Sequence, residues 1–274
     1  MKTYFNTKTF DAFLKKSPLV ITDDVNEASL LVLGAKKIDF SVFPKLKAVY
    51  RFGVGQENVD FNYLKSRDVA IHFPAEAVKD IVYEGTANFT VLGIMSLIFD
   101  NICGDAESWT KEKRVFLKNR KALVIGMGHI GRKVFEKLSV FMTMQSFDVL
   151  KNSMDELELL IREADVITIH IPLNDQTKNF FDEEKLSWVK EDVILANTAR
   201  GDLYNEGALY KKLTQSKCRA FFDVFWQEPY SGKLKELGYK KFLMTPHSAS
   251  NTRDFVEKGF SEILEIDRSL KRDG

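Results

Sequence analysis

A chain of 274 residues has room for one large or two modest domains, and its 40 Lys and Arg against 39 Asp and Glu leave no net field to recruit nucleic acid or an acidic membrane surface. Two cysteines, Cys103 and Cys218, stand far apart without metal-ligand spacing and make no disulfide framework, which fits a reducing, cytoplasmic setting and no bound metal. The opening MKTYFNTKTFDAF lacks the apolar core of a signal peptide, and the greasiest run, 89–99, is shorter than a bilayer span, so a buried helix and no membrane are expected.

From the amino end onward, short apolar runs at 30–33, 48–51 and 69–73 read as strands. Residues 81–103 are expected as one long helix, followed by a polar stretch, 104–121, that crosses into a second domain. Beyond it come strands at 122–125, 144–147, 166–171, 193–196 and 220–224, with helical patterns such as 132–138 and 207–213 between them. Such alternation builds βαβ units and parallel sheets covered by helices on both faces. The last segment carries Phe255, Val256, Phe260, Ile263, Leu264 and Ile266 at helical spacing, a stripe that must pack on something, and the first domain is the expected place.

The stretch KALVIGMGHIG sets Gly126, Gly128 and Gly131 at the end of a strand and the start of a helix. In this context the first glycine permits the tight turn, the second lets backbone approach a pyrophosphate, and the third lets helix and strand pack closely. The next strand ends in Asp148, 22 residues after Gly126, where a carboxylate meets ribose hydroxyls. Val149 follows it, with no arginine for a 2′-phosphate, which favours NAD over NADP. One corner departs from expectation: Val140, Phe141 and Met142 stand where a glycine commonly ends the helix.

The later strands each run into a polar turn, which puts His170, Arg200, Asp223, Glu228 and His247 at the carboxyl edge of a sheet, where open α/β folds bind ligands. Hydride transfer to a 2-oxo acid needs a cation for the carboxylate, a proton donor at the carbonyl and a group that orients the donor. A guanidinium fork, an imidazole and a carboxylate meet these needs, and Arg200, His247 and Glu228 supply them. Singly, each reads better as something plainer, Arg200 as a surface ion pair, Glu228 as a loop charge and His247 as a helix-start residue, but together on one rim beside a nucleotide site they favour the chemistry.

The chain resembles the D-isomer-specific 2-hydroxyacid dehydrogenases. Six ordered motifs carry the resemblance: AVYRFGVGQENVD, GMGHIG, HIPLNDQTKN, NTARGDLYNEGAL, DVFWQEP and TPHSAS. It implies two Rossmann- or flavodoxin-like, doubly wound parallel-sheet α/β domains with a cleft between them, usually as a homodimer. Residues 1–88 with 250–274 would be the substrate-binding domain, and 89–249 the NAD-binding domain. It further implies that Arg200 holds the substrate carboxylate, that His247 is the acid and base, and that Glu228 pairs with it. His129, Ile130, Asp148, His170, Pro172, Thr198, Ala199 and Asp223 join the three glycines as NAD contacts. Val54 and Gly55 fall on the loop whose N–H groups meet the substrate carboxylate, and Arg51, just before it, is placed to meet a phosphate or to cap its strand. The reaction expected is interconversion of a small D-2-hydroxy acid and its 2-oxo acid. D-3-phosphoglycerate, glyoxylate or hydroxypyruvate, and D-lactate all stand as substrates, and a non-catalytic NAD-sensing protein of this fold is the alternative. The segment HFPAEAVKDIVYEG departs from the family pattern at Phe73, Lys79 and Asp80.

Overall fold

The computed structural model describes residues 1–99, 113 and 115–272. Cys103 and most of the 104–121 crossing lie outside them. The chain divides into two compact units, Met1–Val82 with Asn251–Gly274, and Tyr83–Ser250.

In the first unit, four parallel strands lie in chain order: β1 (Thr3–Asn6), β2 (Leu30–Leu33), β3 (Ala48–Arg51) and β4 (Ala70–His72). Alternating side chains divide the core between two faces, as a strand's period of two requires. Leu30 and Val32 join one cluster, Leu31 and Leu33 the other. Helices α1 (Asp11–Leu14) and α2 (Phe61–Ser66) follow β1 and β3. α2 starts where the Asp60 carboxylate accepts from the Tyr63 amide at 2.9 Å. β1 was not expected, because TYFN mixes polar with aromatic residues and shows its role only through pairing with β2.

Helix α3 spans Glu76–Ile98, five residues earlier at each end than the 81–103 expected. At 23 residues it is long and apolar enough, by length and composition alone, to cross a membrane. Val78 and Val82, however, lie in the first unit's core, and Ala87, Ile94 and Leu97 in the second's.

The second unit's sheet is also wholly parallel. Its strands are β5 (Lys121–Ile125), β6 (Thr143–Phe147), β7 (Val166–Ile169), β8 (Ile194–Asn197), β9 (Arg219–Phe222) and β10 (Phe242–Met244), in the order β10-β9-β8-β7-β5-β6. Continuous apolar runs such as VITI suit strands covered on both faces. Helices α4 (His129–Ser139), α5 (Met154–Glu163), α6 (Glu183–Trp188) and α7 (Glu206–Gln215) connect them. The sequence reading missed α5, although Ser153 and Glu156 form a reciprocal capping box at its start. The chain goes from β5 to β6 on one side and then returns to β7 on the other. That reversal opens a crevice between the carboxyl ends of β5 and β7. The first sheet has no such reversal.

At the corner after α4, Val140 stays in right-handed helical backbone, and the amides of Phe141 and Met142 both donate to the Leu138 carbonyl at 2.9 Å. The turn closes without a left-handed residue, so no glycine is required. The last helix, α8 (Arg253–Arg272), buries Phe255, Val256, Phe260 and Ile263 in the first unit's core.

Candidate active site

The glycine turn sits at the β5–β7 reversal. Gly126 has φ +92°, and a side chain there would meet the His170 carbonyl at 2.7 Å. A Cβ on Gly131 would lie 1.9 Å from the Gly126 carbonyl, so this glycine is required for α4 to pack against the turn. Gly128 differs: its φ is −75°, and a Cβ would meet nothing within 4 Å. Nothing in the fold demands a glycine there, and the space it leaves is open. His129 opens α4 and stacks on Tyr83 at 4.6 Å and 5°. Lys133 and Lys137, further along α4, both pair with Glu84. Beneath the turn, His170 shares a 2.9 Å hydrogen bond with the Thr168 hydroxyl, and burial pulls it down to about 3, so it sits there as a neutral ring. The Pro172 carbonyl accepts from the Thr177 hydroxyl at 2.7 Å, which shapes the turn after β7. At the end of β6, an Asp148 oxygen accepts from the Leu150 amide at 3.0 Å.

After β8, the buried Asn197 folds the turn around its own amide: Oδ1 accepts from the Ala199 amide at 3.0 Å, and Nδ2 donates to the Arg200 carbonyl at 2.8 Å. The Thr198 hydroxyl pairs with that of Thr90 on α3 at 2.8 Å, a tie between residues 108 apart in sequence that no local motif announces. Gly201 follows Arg200 because the Phe225 backbone passes within 2.2 Å of where its Cβ would stand. This close approach brings the β9 loop, with Glu228, beside the Arg200 turn. Trp226 and Tyr230 pin that loop, donating to the Tyr204 carbonyl at 2.7 Å and the Glu206 carboxylate at 2.6 Å.

His247 reaches Glu228 across the next turn, with Nδ1 2.8 Å from Oε2 and 3.1 Å from Oε1. Burial alone raises the Glu228 carboxyl, but hydrogen bonding and charge from His247, the Phe225 amide and the Arg200 guanidinium outweigh it and hold the group below its usual range. The backbone at His247 is left-handed, φ +50°, a state that costs a non-glycine residue about 1–3 kcal/mol. Asp223 compensates. Its Oδ1 accepts from the Thr245 hydroxyl at 2.6 Å and the Ser248 amide at 2.9 Å, its Oδ2 accepts from the Ala249 amide at 2.9 Å, and its carbonyl accepts from the His247 amide at 2.9 Å. Asp223 is fully buried, and that burial raises its carboxyl despite these donors. Expected as a cofactor contact, it has both carboxylate oxygens engaged in holding the histidine turn.

In the first unit, the loop after β3 carries Val54 and Gly55. Phe52, at its start, stacks on Phe255 of α8 at 4.1 Å, and Gly259 leaves room for its ring. Arg51, expected in the substrate set or as a strand cap, turns its guanidinium back toward the loop that follows it. Only 5% exposed, it donates through Nε to Asn58 Oδ1 at 2.9 Å and through Nη1 to the Phe52 carbonyl. In the unusual wall after β4, Phe73 stacks on Phe61 at 6.2 Å and Lys79 pairs with Glu76 at 2.7 Å. No cluster of metal-ligating side chains occurs among the described residues.

Residues 102–249, more than half of the chain, match the model for the D-isomer specific 2-hydroxyacid dehydrogenase NAD-binding domain. The chain belongs to the D-isomer specific 2-hydroxyacid dehydrogenase family. Similar family members include a hydroxypyruvate reductase from Thermotoga maritima, 27% identical over 85% of this chain and 84% of that one. A glyoxylate reductase from Aeropyrum pernix is 27% identical over 93% and 83%. A D-3-phosphoglycerate dehydrogenase from Methanocaldococcus jannaschii is 29% identical over 92% of this chain but 51% of its own. A solved D-lactate dehydrogenase from Aquifex aeolicus, complexed with NAD and lactic acid, shares the fold with a TM-score of 0.80 at 22% identity, covering 100% of this chain and 96% of that one. This dehydrogenase is thus an NAD-dependent oxidoreductase of two α/β units, and the open space at Gly128 fits the close approach of the dinucleotide's pyrophosphate.

Two results follow for the cofactor. Gly128→Ala leaves the melting temperature unchanged, because the new methyl meets no protein atom, yet raises the NADH Kd at least roughly tenfold, about 1.4 kcal/mol. Equal NADH affinity in the two proteins, by fluorescence titration, contradicts this use of the space. Asp148→Ala is expected to weaken NAD binding and narrow the preference over NADP, the outcome of losing a carboxylate that would bond the ribose and repel a 2′-phosphate. A wild-type enzyme that prefers NADPH rules out this role.

Proposed function

We propose that this dehydrogenase interconverts a small D-2-hydroxy acid and its 2-oxo acid, with glyoxylate or hydroxypyruvate as the substrate class. Arg200 binds the substrate carboxylate through its guanidinium fork. Because Nδ1 of His247 faces Glu228, Nε2 is the atom that gives a proton to the developing alkoxide in reduction and takes it back in oxidation. Glu228 orients the ring by accepting from Nδ1. NADH supplies the hydride when bound. Thr198, Ala199, His129 and Ile130 border the cofactor with the glycine turn, and the Val54 and Gly55 amides meet the substrate carboxylate. The first unit binds substrate and the second NAD. The protein acts as a homodimer in the cytoplasm, a reading supported by the family resemblance for the first and by two cysteines without disulfide spacing for the second.

The His247–Glu228 contact at 2.8 Å, with Arg200's charge bearing on the same carboxylate, carries the assignment. A panel of 2-oxo acids with NADH, followed at the nicotinamide absorbance with chiral analysis of the product, tests it. The expected result is turnover of glyoxylate or hydroxypyruvate, with any chiral product of D configuration. No turnover of any acid by a protein that binds NADH normally points to a non-catalytic NAD-binding protein.

A further inference from the structure

We propose that Arg51 and Asn58 form a brace that fixes the Gly53–Val54–Gly55 loop, so that Arg51 is a positioning residue and not a phosphate ligand, and the preferred acid carries no phosphate. The inference rests on the proposed role of that loop in binding the substrate carboxylate.

Arg51 ends β3, paired in register with Leu33 of β2, and its guanidinium turns back under the loop it introduces. Gly53, at φ +125°, lies against it: a Cβ there would stand 2.8 Å from Arg51 Nη1. A left-handed glycine thus makes the space in which the guanidinium reaches the Phe52 carbonyl. At the far end of the loop, Asn58 accepts from Arg51 Nε and donates through Nδ2 to the Gly34 carbonyl at 2.8 Å and the Lys36 carbonyl at 3.0 Å, just beyond β2. Both ends of the loop are therefore fastened to one another and to the neighbouring strand's exit. The Phe52 amide adds a bond to the Leu33 carbonyl at 2.9 Å. A loop that offers backbone N–H groups to an anion has no side-chain fork to guide the ligand. It depends on the amides being held in place, and a displacement of 1 Å in such a site costs roughly a hundredfold. The arginine's burial has a second consequence. A phosphate ester brings two negative charges that want an accessible cation, whereas this guanidinium is committed beneath the loop.

The test compares wild type, Asn58→Ala, Arg51→Ala, Arg51→Lys and the Arg51→Ala/Asn58→Ala double variant. The readouts are kcat and KM for hydroxypyruvate and its 3-phosphate, the NADH Kd, and amide hydrogen exchange across residues 53–58. Asn58→Ala is expected to raise KM by about tenfold or more for whichever acids are turned over, and to speed exchange in the loop, with the NADH Kd unchanged. Arg51→Ala should do the same, the double variant should be little worse than either single one, and Arg51→Lys should recover part of the loss. Three results overturn the proposal: a wild type that strongly prefers the phosphate ester, an Arg51→Ala defect confined to that ester, or an Asn58→Ala protein with unchanged KM and exchange. If Arg51→Ala does not fold, Asn58→Ala decides. A wild type inactive on both acids counts against the proposed function, while loop exchange still judges the brace.

Discussion

His247→Ala is expected to lower kcat for 2-oxo acid reduction by about 10²–10⁴-fold, the usual contribution of a positioned general acid, while the NADH Kd stays near the wild-type value. The ring is the group placed to carry the proton, and its removal takes away no part of the glycine turn. Glu228→Gln should fall between wild type and His247→Ala, because an amide still accepts from Nδ1 but brings no charge. The double variant should be little worse than His247→Ala alone, since the two side chains act as one unit. Steady-state kinetics with fluorescence titration of NADH checks all three. Additive losses would separate the carboxylate from the histidine.

Arg200→Lys is expected to recover little of the activity lost in Arg200→Ala. An ammonium cannot reproduce a two-point fork on a carboxylate. Losing one charged hydrogen bond of about 1.5–3 kcal/mol corresponds to roughly ten- to a hundredfold in kcat/KM, and losing both to more. The Arg200 side chain also donates to the Ala199 carbonyl at 2.6 Å, so part of the effect comes through the turn itself. Near-normal kcat/KM in Arg200→Lys, with saturating NADH, would remove Arg200 from the substrate.

The sequence made legible what depends on local spacing. Gly126, Gly128 and Gly131 stand at a strand–helix junction whose sterics are set within a few residues, and the structure places that junction at the sheet's reversal. Glu228 and His247 could be placed at strand ends from hydrophobic runs alone, and the fold brings the two side chains into contact. Long-range ties were hidden. Thr198 meets Thr90 on α3, and Asp223 holds the 245–249 turn, through contacts that no spacing encodes. Arg51 left two readings open in the sequence, since a cation before a glycine loop suits a ligand or a strand end, and burial and Asn58 decide where its side chain turns. The start of α3 was placed late because AEAVKD is polar. The Ala75 amide just before the helix is satisfied by Glu262, far along the chain.

The pH dependence of kcat/KM for reduction, in wild type and Glu228→Gln, tests the paired proton carrier most directly. Glu228 is held below its usual 4.5, so the folded enzyme favours its ionised form. Its contribution to the pair is complete above that usual range and is lost only as pH falls through the depressed value. At neutral pH the carboxylate is therefore charged and accepts from Nδ1 of His247. Replacing it with an amide, which has no proton to gain, should remove the fall in kcat/KM that wild type shows as pH drops through the depressed value. The same acid fall in both proteins would contradict the account, leaving Glu228 a loop charge and the proton with another group.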